Sequence, residues 1–149
     1  MSQTLSVSAS KGTIPSVNSW QRVIDEAGFD LKLDETVEPS RHIGFWPCQL
    51  RGELSGFELS INDPAESPNA IGVERVVVSF NFGGWADEAM SAMMAASSLA
   101  SFTGSELIDL QSGAAYPAAN AIAIASRAVA ALEDLYAKQK PNRIKRNAG

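Results

Sequence analysis

The sequence predicts an α+β fold, a single two-layer domain with helices packed on one face of a mainly antiparallel sheet. Three observations point there. Strand-like runs follow one another between residues 29 and 82 with no helical pattern among them, which favours antiparallel pairing. Three other segments have apolar residues at helical spacing or are dense in alanine, so each has a face to bury. The chain of 149 residues is the length of one ordinary domain and builds a core without disulfides or metals.

Residues 4–9 alternate Leu5 and Val7 with polar neighbours, as a half-buried strand does. Gly12 and Pro15 mark a connection. Ser16 or Asn18 then caps a helix with Trp20, Val23, Ile24 and Ala27 on one face, and Gly28 stops it. Phe29, Leu31 and Leu33 alternate as a second strand. Residues 34–42 are acidic, contain Pro39 and read as a loop. Residues 44–50 and 53–61 flank a short turn containing Gly52 and read as a hairpin, with Pro47 placed at an edge or a bulge because it lacks a donor. Residues 62–72 are a loop. Residues 74–82, with Val76, Val77, Val78, Phe80 and Phe82, are the strongest strand and the expected centre of the sheet.

Gly83 and Gly84 end that strand. Residues 85–102 form a helix rich in Ala, Met and Ser, with Asp87 and Glu88 in its first turn, where carboxylates suit the helix dipole. Gly104 terminates it, and residues 106–110 are a short strand. Pro117 opens the last helix, residues 118–136, with Ile122, Val129, Leu132 and Tyr136 inward and Ala125 and Ala128 allowing a close neighbour. The order is β-α-β-β-β-β-α-β-α over residues 1–137. Residues 138–149 are polar, contain Pro141 and are expected to form a flexible basic tail.

The net charge of −5 conceals an asymmetry. Residues 1–137 hold all 17 acidic residues and seven of the 12 basic ones, a net of −10, and the last twelve residues carry +5. A body this acidic repels nucleic acid and anionic lipid and attracts a basic protein surface; the plainer reading is that the charge serves solubility. The opening residues have neither a basic region nor a long apolar run, and no stretch reaches a spanning length, so a cytoplasmic address is expected.

Catalytic and metal-binding patterns are sparse. His42 is the single histidine and Cys48 the single cysteine, too few for a zinc site, which takes three or four ligands chiefly of those types. His42 reads as a loop residue bonded to backbone, and Cys48 as a small core residue. Gly83–Gly84 lacks the pattern and the lysine of a phosphate loop. No cofactor is expected. Core packing is the favoured reading of the methionines, but Met90 and Met94 share a helical face while Met93 points elsewhere, which leaves one set for a surface or a homodimer interface. Trp46 and Trp85 adjoin predicted turns and are candidate interface anchors; the alternative is that both close the ends of the core.

The runs WQRVIDEAGFDLKLD, HIGFWPCQLRGELSGFEL, VVVSFNFGGWADE and SFTGSELIDLQSGAAY resemble a set of small bacterial proteins. In those, a GF-x-P strand precedes a GFE strand, an Ala-rich helix and a D-x-x-x-G turn. The resemblance spans residues 16–117. The matching positions, Trp20, Gly44, Phe45, Pro47, Gly56, Phe57, Glu58, Gly104, Asp109 and Gly113, read as framework and carry no catalytic role over. Such proteins resemble, in size and acidity, immunity proteins that neutralise interbacterial toxins.

The resemblance and the charge together imply a non-enzymatic protein-binding module that blocks the basic active-site surface of a cognate toxin. The expected contacts are Asp34, Glu35, Glu38, Asp63 and Glu66, with Trp46 or Trp85 as anchors. One alternative is an acidic secretion chaperone, dimeric and holding an effector segment. Another is a small-molecule binder or a carboxylate-only enzyme, for which Glu58 and Glu74 would have to converge in a deep pocket.

Overall fold

The computed structural model describes residues 2–62 and 75–148, with 143–148 described by backbone alone. Strand β1 (Gln3–Ser10) leads through a 3₁₀ turn (Lys11–Thr13) to helix α1 (Val17–Glu26). Strands β2 (Leu31–Leu33), β3 (Gly44–Leu50), β4 (Glu53–Asn62) and β5 (Arg75–Phe82) come next. Helix α2 (Ala86–Thr103), the short strands β6 (Leu107–Asp109) and β7 (Ala115–Tyr116), and helices α3 (Ala118–Ala131) and α4 (Glu133–Ala148) complete the order. The class is α+β, as the sequence predicts.

All seven strands form one antiparallel sheet in the order β2-β3-β4-β5-β1-β6-β7. The valine-rich β5 is fourth of seven, the centre expected of it. Its pairing with β1 sets Leu5 opposite Phe80, Val7 opposite Val78 and Ala9 opposite Val76, all on the face that the helices cover. A period of two fixes the register, because a one-residue slip would turn every one of these side chains to water.

The centre of the core is aromatic. Trp20 of α1 meets Trp46 edge-on at 5.1 Å and Phe80 at 5.9 Å, and Phe57 bridges Trp46 and Phe80. Ser16 caps α1, its hydroxyl accepting from the Ser19 N–H at 3.2 Å. The Gln21 side chain closes the free edge of β2. Its amide donates to the Leu31 carbonyl at 2.7 Å, and its carbonyl accepts from the Leu33 N–H at 2.8 Å. That edge is therefore unavailable to an added strand.

The observed elements differ from the expected ones in three places. First, α2 is not amphipathic. It lies on the sheet and is flanked by α1, α3 and α4, so it is buried on every side. Small residues make this feasible: Ala92, Ala95, Ala96 and Ala100 admit close neighbours, and the buried Ser91, Ser97 and Ser98 hydroxyls bond back to helical carbonyls. Met90 and Met94 are buried with it, and Met93 is half-buried.

Second, the last helix divides at Leu132, whose N–H bonds to the Val129 carbonyl three residues back, and α4 begins there. Third, residues 138–148, read from the sequence as a tail after the last helix, continue α4 as helix to Ala148. The side chains of its first turns hold it to the body. The Gln139 amide donates to the Gly84 carbonyl and its carbonyl accepts from the Ala86 N–H. Lys140 pairs with Glu53 at 3.2 Å, and the Tyr136 hydroxyl donates to the same carboxylate at 3.3 Å.

The β3–β4 turn joins this helix to the sheet. Arg51 and Gly52 both have positive φ, 53° and 80°, the two-residue turn whose twist suits a hairpin. Arg51 is thereby aimed at Glu133, with which it makes a two-toothed ion pair, and at the Tyr136 ring, 5.2 Å away. The Arg51 guanidinium holds the Glu133 carboxyl below its usual value. A carboxyl lowered by folding stabilises above its unfolded pKa and loses that contribution as pH falls through the folded one. Glu133→Gln should therefore cost about 0.5 kcal/mol at pH 7, the scale of an exposed pair. The difference from the parent should vanish in acid, read from melting curves across pH. A gap that persists below both pKa values would remove the ion pair as its cause.

Candidate protein-binding face

The helices cover one face of the sheet, and the side chains of the opposite face form transverse rows fixed by strand register. One row runs Phe45, Glu58, Asn81, Thr4 across β3, β4, β5 and β1. The next runs Ser60, Ser79, Ser6, Ile108. Small hydroxyl residues thus occupy the middle, and apolar bulk gathers toward the β3 side in Phe45, Pro47 and Leu54.

Each of those three is held outward for a local reason. Pro47 lies opposite Gly56, and its carbonyl accepts from the Asp34 N–H at 3.1 Å. Its donor-less nitrogen faces the same outer side, where β2 has ended, so the edge placement expected of it holds. The Phe45 ring lies across Gly56, where an added Cβ would run into the ring. Gly56 is there because the ring needs the space, as an aromatic laid over a strand glycine does. Phe45 remains 50% exposed, Leu54 61%, and Ile43, just before β3, 75%. Scattered exposed apolar residues are ordinary, but Phe45, Pro47 and Leu54 adjoin on one face.

The acidic loop borders this patch. Asp34, Glu35, Pro47 and Leu54 line one depression at the β2–β3 edge, together with Lys32 and Gln49. Glu35 and Glu38 line another, with Val37 and Pro39. Asp34 shapes the loop, its carboxylate accepting from the Thr36 N–H at 2.9 Å and hydroxyl at 2.7 Å. These bonds hold the Asp34 carboxyl below its usual value. His42 completes the loop, one ring nitrogen 2.9 Å from the Phe45 carbonyl, the backbone role read from the sequence.

The sequence-predicted contacts are only partly brought together. Asp34, Glu35 and Glu38 share the loop. Trp46 is fully buried, as the core-closing reading of it expects, its indole N–H donating to the Asp34 carbonyl at 3.2 Å, and it ties the loop to the core from beneath. Trp85 is half-buried at the start of α2 and lines a separate depression with Met93, Leu132 and Leu135. Asp63 and Glu66 lie outside the described residues, as does Glu74. Glu58 is exposed on the outer face and lines the crevice where β5 ends.

Phe45, Pro47 and Glu58, read from the sequence as framework, face outward with Leu54. The parity of β3 carried the signal for the first two: with Cys48 and Leu50 inward, Trp46 goes inward and Phe45 and Pro47 go out.

Two polar features remain. The Ser55 hydroxyl donates to the Asp87 carboxylate at 2.7 Å, and Ser91 lies 3.1 Å from Ser55. This network is buried between β4 and α2, so it locks the helix to the sheet and is closed to a substrate. The second is a crevice of about 340 Å³ where β5 ends, lined by Phe45, Glu58, Asn81, Gly83 and Glu88 among others. Among the described residues no group of three or more His, Cys, Asp or Glu is placed to hold a metal, and no helix is long and apolar enough to cross a membrane. Comparison with protein-family models, curated proteins and solved structures finds no match for this chain.

Proposed function

We propose that the chain works by binding a basic protein, as an immunity protein that blocks a cognate toxin. The observation that carries this reading is the apolar patch of Phe45, Pro47 and Leu54, exposed on the open sheet face and bordered by Asp34 and Glu35. Apolar centre and charged border are the usual anatomy of a protein interface. The net −10 of residues 1–137 supplies the long-range attraction that speeds encounter with a basic surface. The buried Ser55–Asp87–Ser91 network and the backbone-bonded His42 fit framework roles, in keeping with a protein that acts by occupying a surface.

The test is reconstitution with the product of the adjacent gene. The purified pair should form a one-to-one complex that weakens as salt rises, and co-expression should relieve the growth arrest caused by the partner alone. A basic neighbour that neither binds nor is neutralised would sink the proposal.

A further inference from the structure

We infer that the first half of α4, residues 133–140, is a strap latched across the β3–β4 turn and the start of α2, and that it opens as one unit while the core stays folded. The latch begins at Arg51. Among the described residues Arg51 is the one non-glycine with positive φ, 53°, at a turn position where asparagine, aspartate or glycine is the usual occupant. An arginine there works against the local preference of the turn. What it gains is aim: its guanidinium pairs with both carboxylate oxygens of Glu133 and lies 5.2 Å from the centre of the Tyr136 ring. Glu53, on the other side of Gly52, takes Lys140 at 3.2 Å and the Tyr136 hydroxyl at 3.3 Å. The turn thus grips α4 through both residues that flank its glycine.

The other end of the latch is Gln139. Its side-chain carbonyl accepts from the Ala86 N–H at 2.7 Å, and its amide donates to the Gly84 carbonyl at 3.0 Å. The N-cap of α2 is Trp85, whose indole has no acceptor to offer, so α4 supplies the cap from 53 positions along the chain. Three features let this docking reverse by itself. Among the described residues of α4 only Tyr136 is buried, so little apolar area holds the strap down. Pro141 has no N–H to return to the Ala137 carbonyl, so the helical ladder is interrupted just beyond Lys140. The docked stretch is then too short to stay helical without its contacts, and breaking the latch frees it together. The aromatic centre of the core, Trp20, Trp46, Phe57 and Phe80, is built from α1 and the sheet and closes without it. Opening releases the Arg51 and Glu53 charges at the end of the hairpin that carries Leu54.

Amide hydrogen exchange on the intact protein tests this. In the parent, residues 136–140 should exchange with one shared opening free energy, lower than that of β5 and of the middle of α2. The Ala86 N–H, bonded to Gln139, should follow α4 and not the rest of α2. Arg51→Asn removes the latch and gives the turn its preferred Asn–Gly pair. It should speed exchange of α4 and of Ala86 by about fivefold. The change at β5 should be smaller, because the better turn offsets the loss there. A role for Arg51 in the turn alone predicts the opposite, protection unchanged or raised throughout. Exchange of α4 together with the core, a gradient of rates rising steadily toward the C-terminus, or an Arg51→Asn variant in which either α4 or Ala86 is unchanged overturns the strap.

Discussion

Trp20→Ala is expected to destabilise the protein by about 4 kcal/mol, the usual cost of truncating a fully buried tryptophan. Trp20 is inaccessible to water, meets Trp46 and Phe80 edge-on, and donates its indole N–H to the Ala95 carbonyl of α2 at 2.9 Å. It joins three elements distant in sequence, so the cavity left by alanine lies where α1, α2 and the sheet meet, and α2 is packed too tightly on its other sides to move in. For a chain of this length the melting temperature should fall by roughly 10–15 °C. Trp20→Phe, which keeps most of the ring contact and loses the hydrogen bond, should cost clearly less. If alanine costs under about 1 kcal/mol by denaturant melts, the aromatic cluster is not the keystone of the core.

Leu54→Lys should leave stability nearly unchanged and weaken partner binding by about a hundredfold, close to 3 kcal/mol, the scale of an interface hot spot. Leu54 is 61% exposed and paired with Gln49 on the open face, so a lysine there reaches water without strain. In the complex the same lysine would replace apolar contact at the patch and set a positive charge against a basic partner. A Leu54→Glu control separates the two effects: it loses the apolar contact and keeps the favourable sign, so it should bind more tightly than the lysine variant. Equal affinity of parent and Leu54→Lys, by titration calorimetry, would move the interface off this face.

The sequence-derived elements and the observed ones agree most closely where pattern is local. The alternation of β1 and β5, the Ser16 cap, the stops at Gly28 and Gly104 and the Arg51–Gly52 hairpin each depend on neighbours in the chain. The candidate site was less legible. The acidic loop was found by composition, and Asp34, Glu35 and Glu38 do share it. For Trp46, which adjoins a turn, the sequence leaves two readings, an interface anchor or a residue closing the core. Its burial depends on Trp20, Phe57 and Phe80, residues up to 34 positions away whose meeting no local pattern records.

By itself, then, the sequence determined an acidic α+β domain with its strongest strand at the centre, because strand periodicity, caps and charge are set residue by residue. Tertiary structure decided which face of that sheet the helices cover. The deciding fact is that α2, small-residued on all sides, is buried between the sheet and the other helices. With α2 covering one face, Trp46 goes under it, and Phe45, Pro47, Leu54 and Glu58 are left facing out.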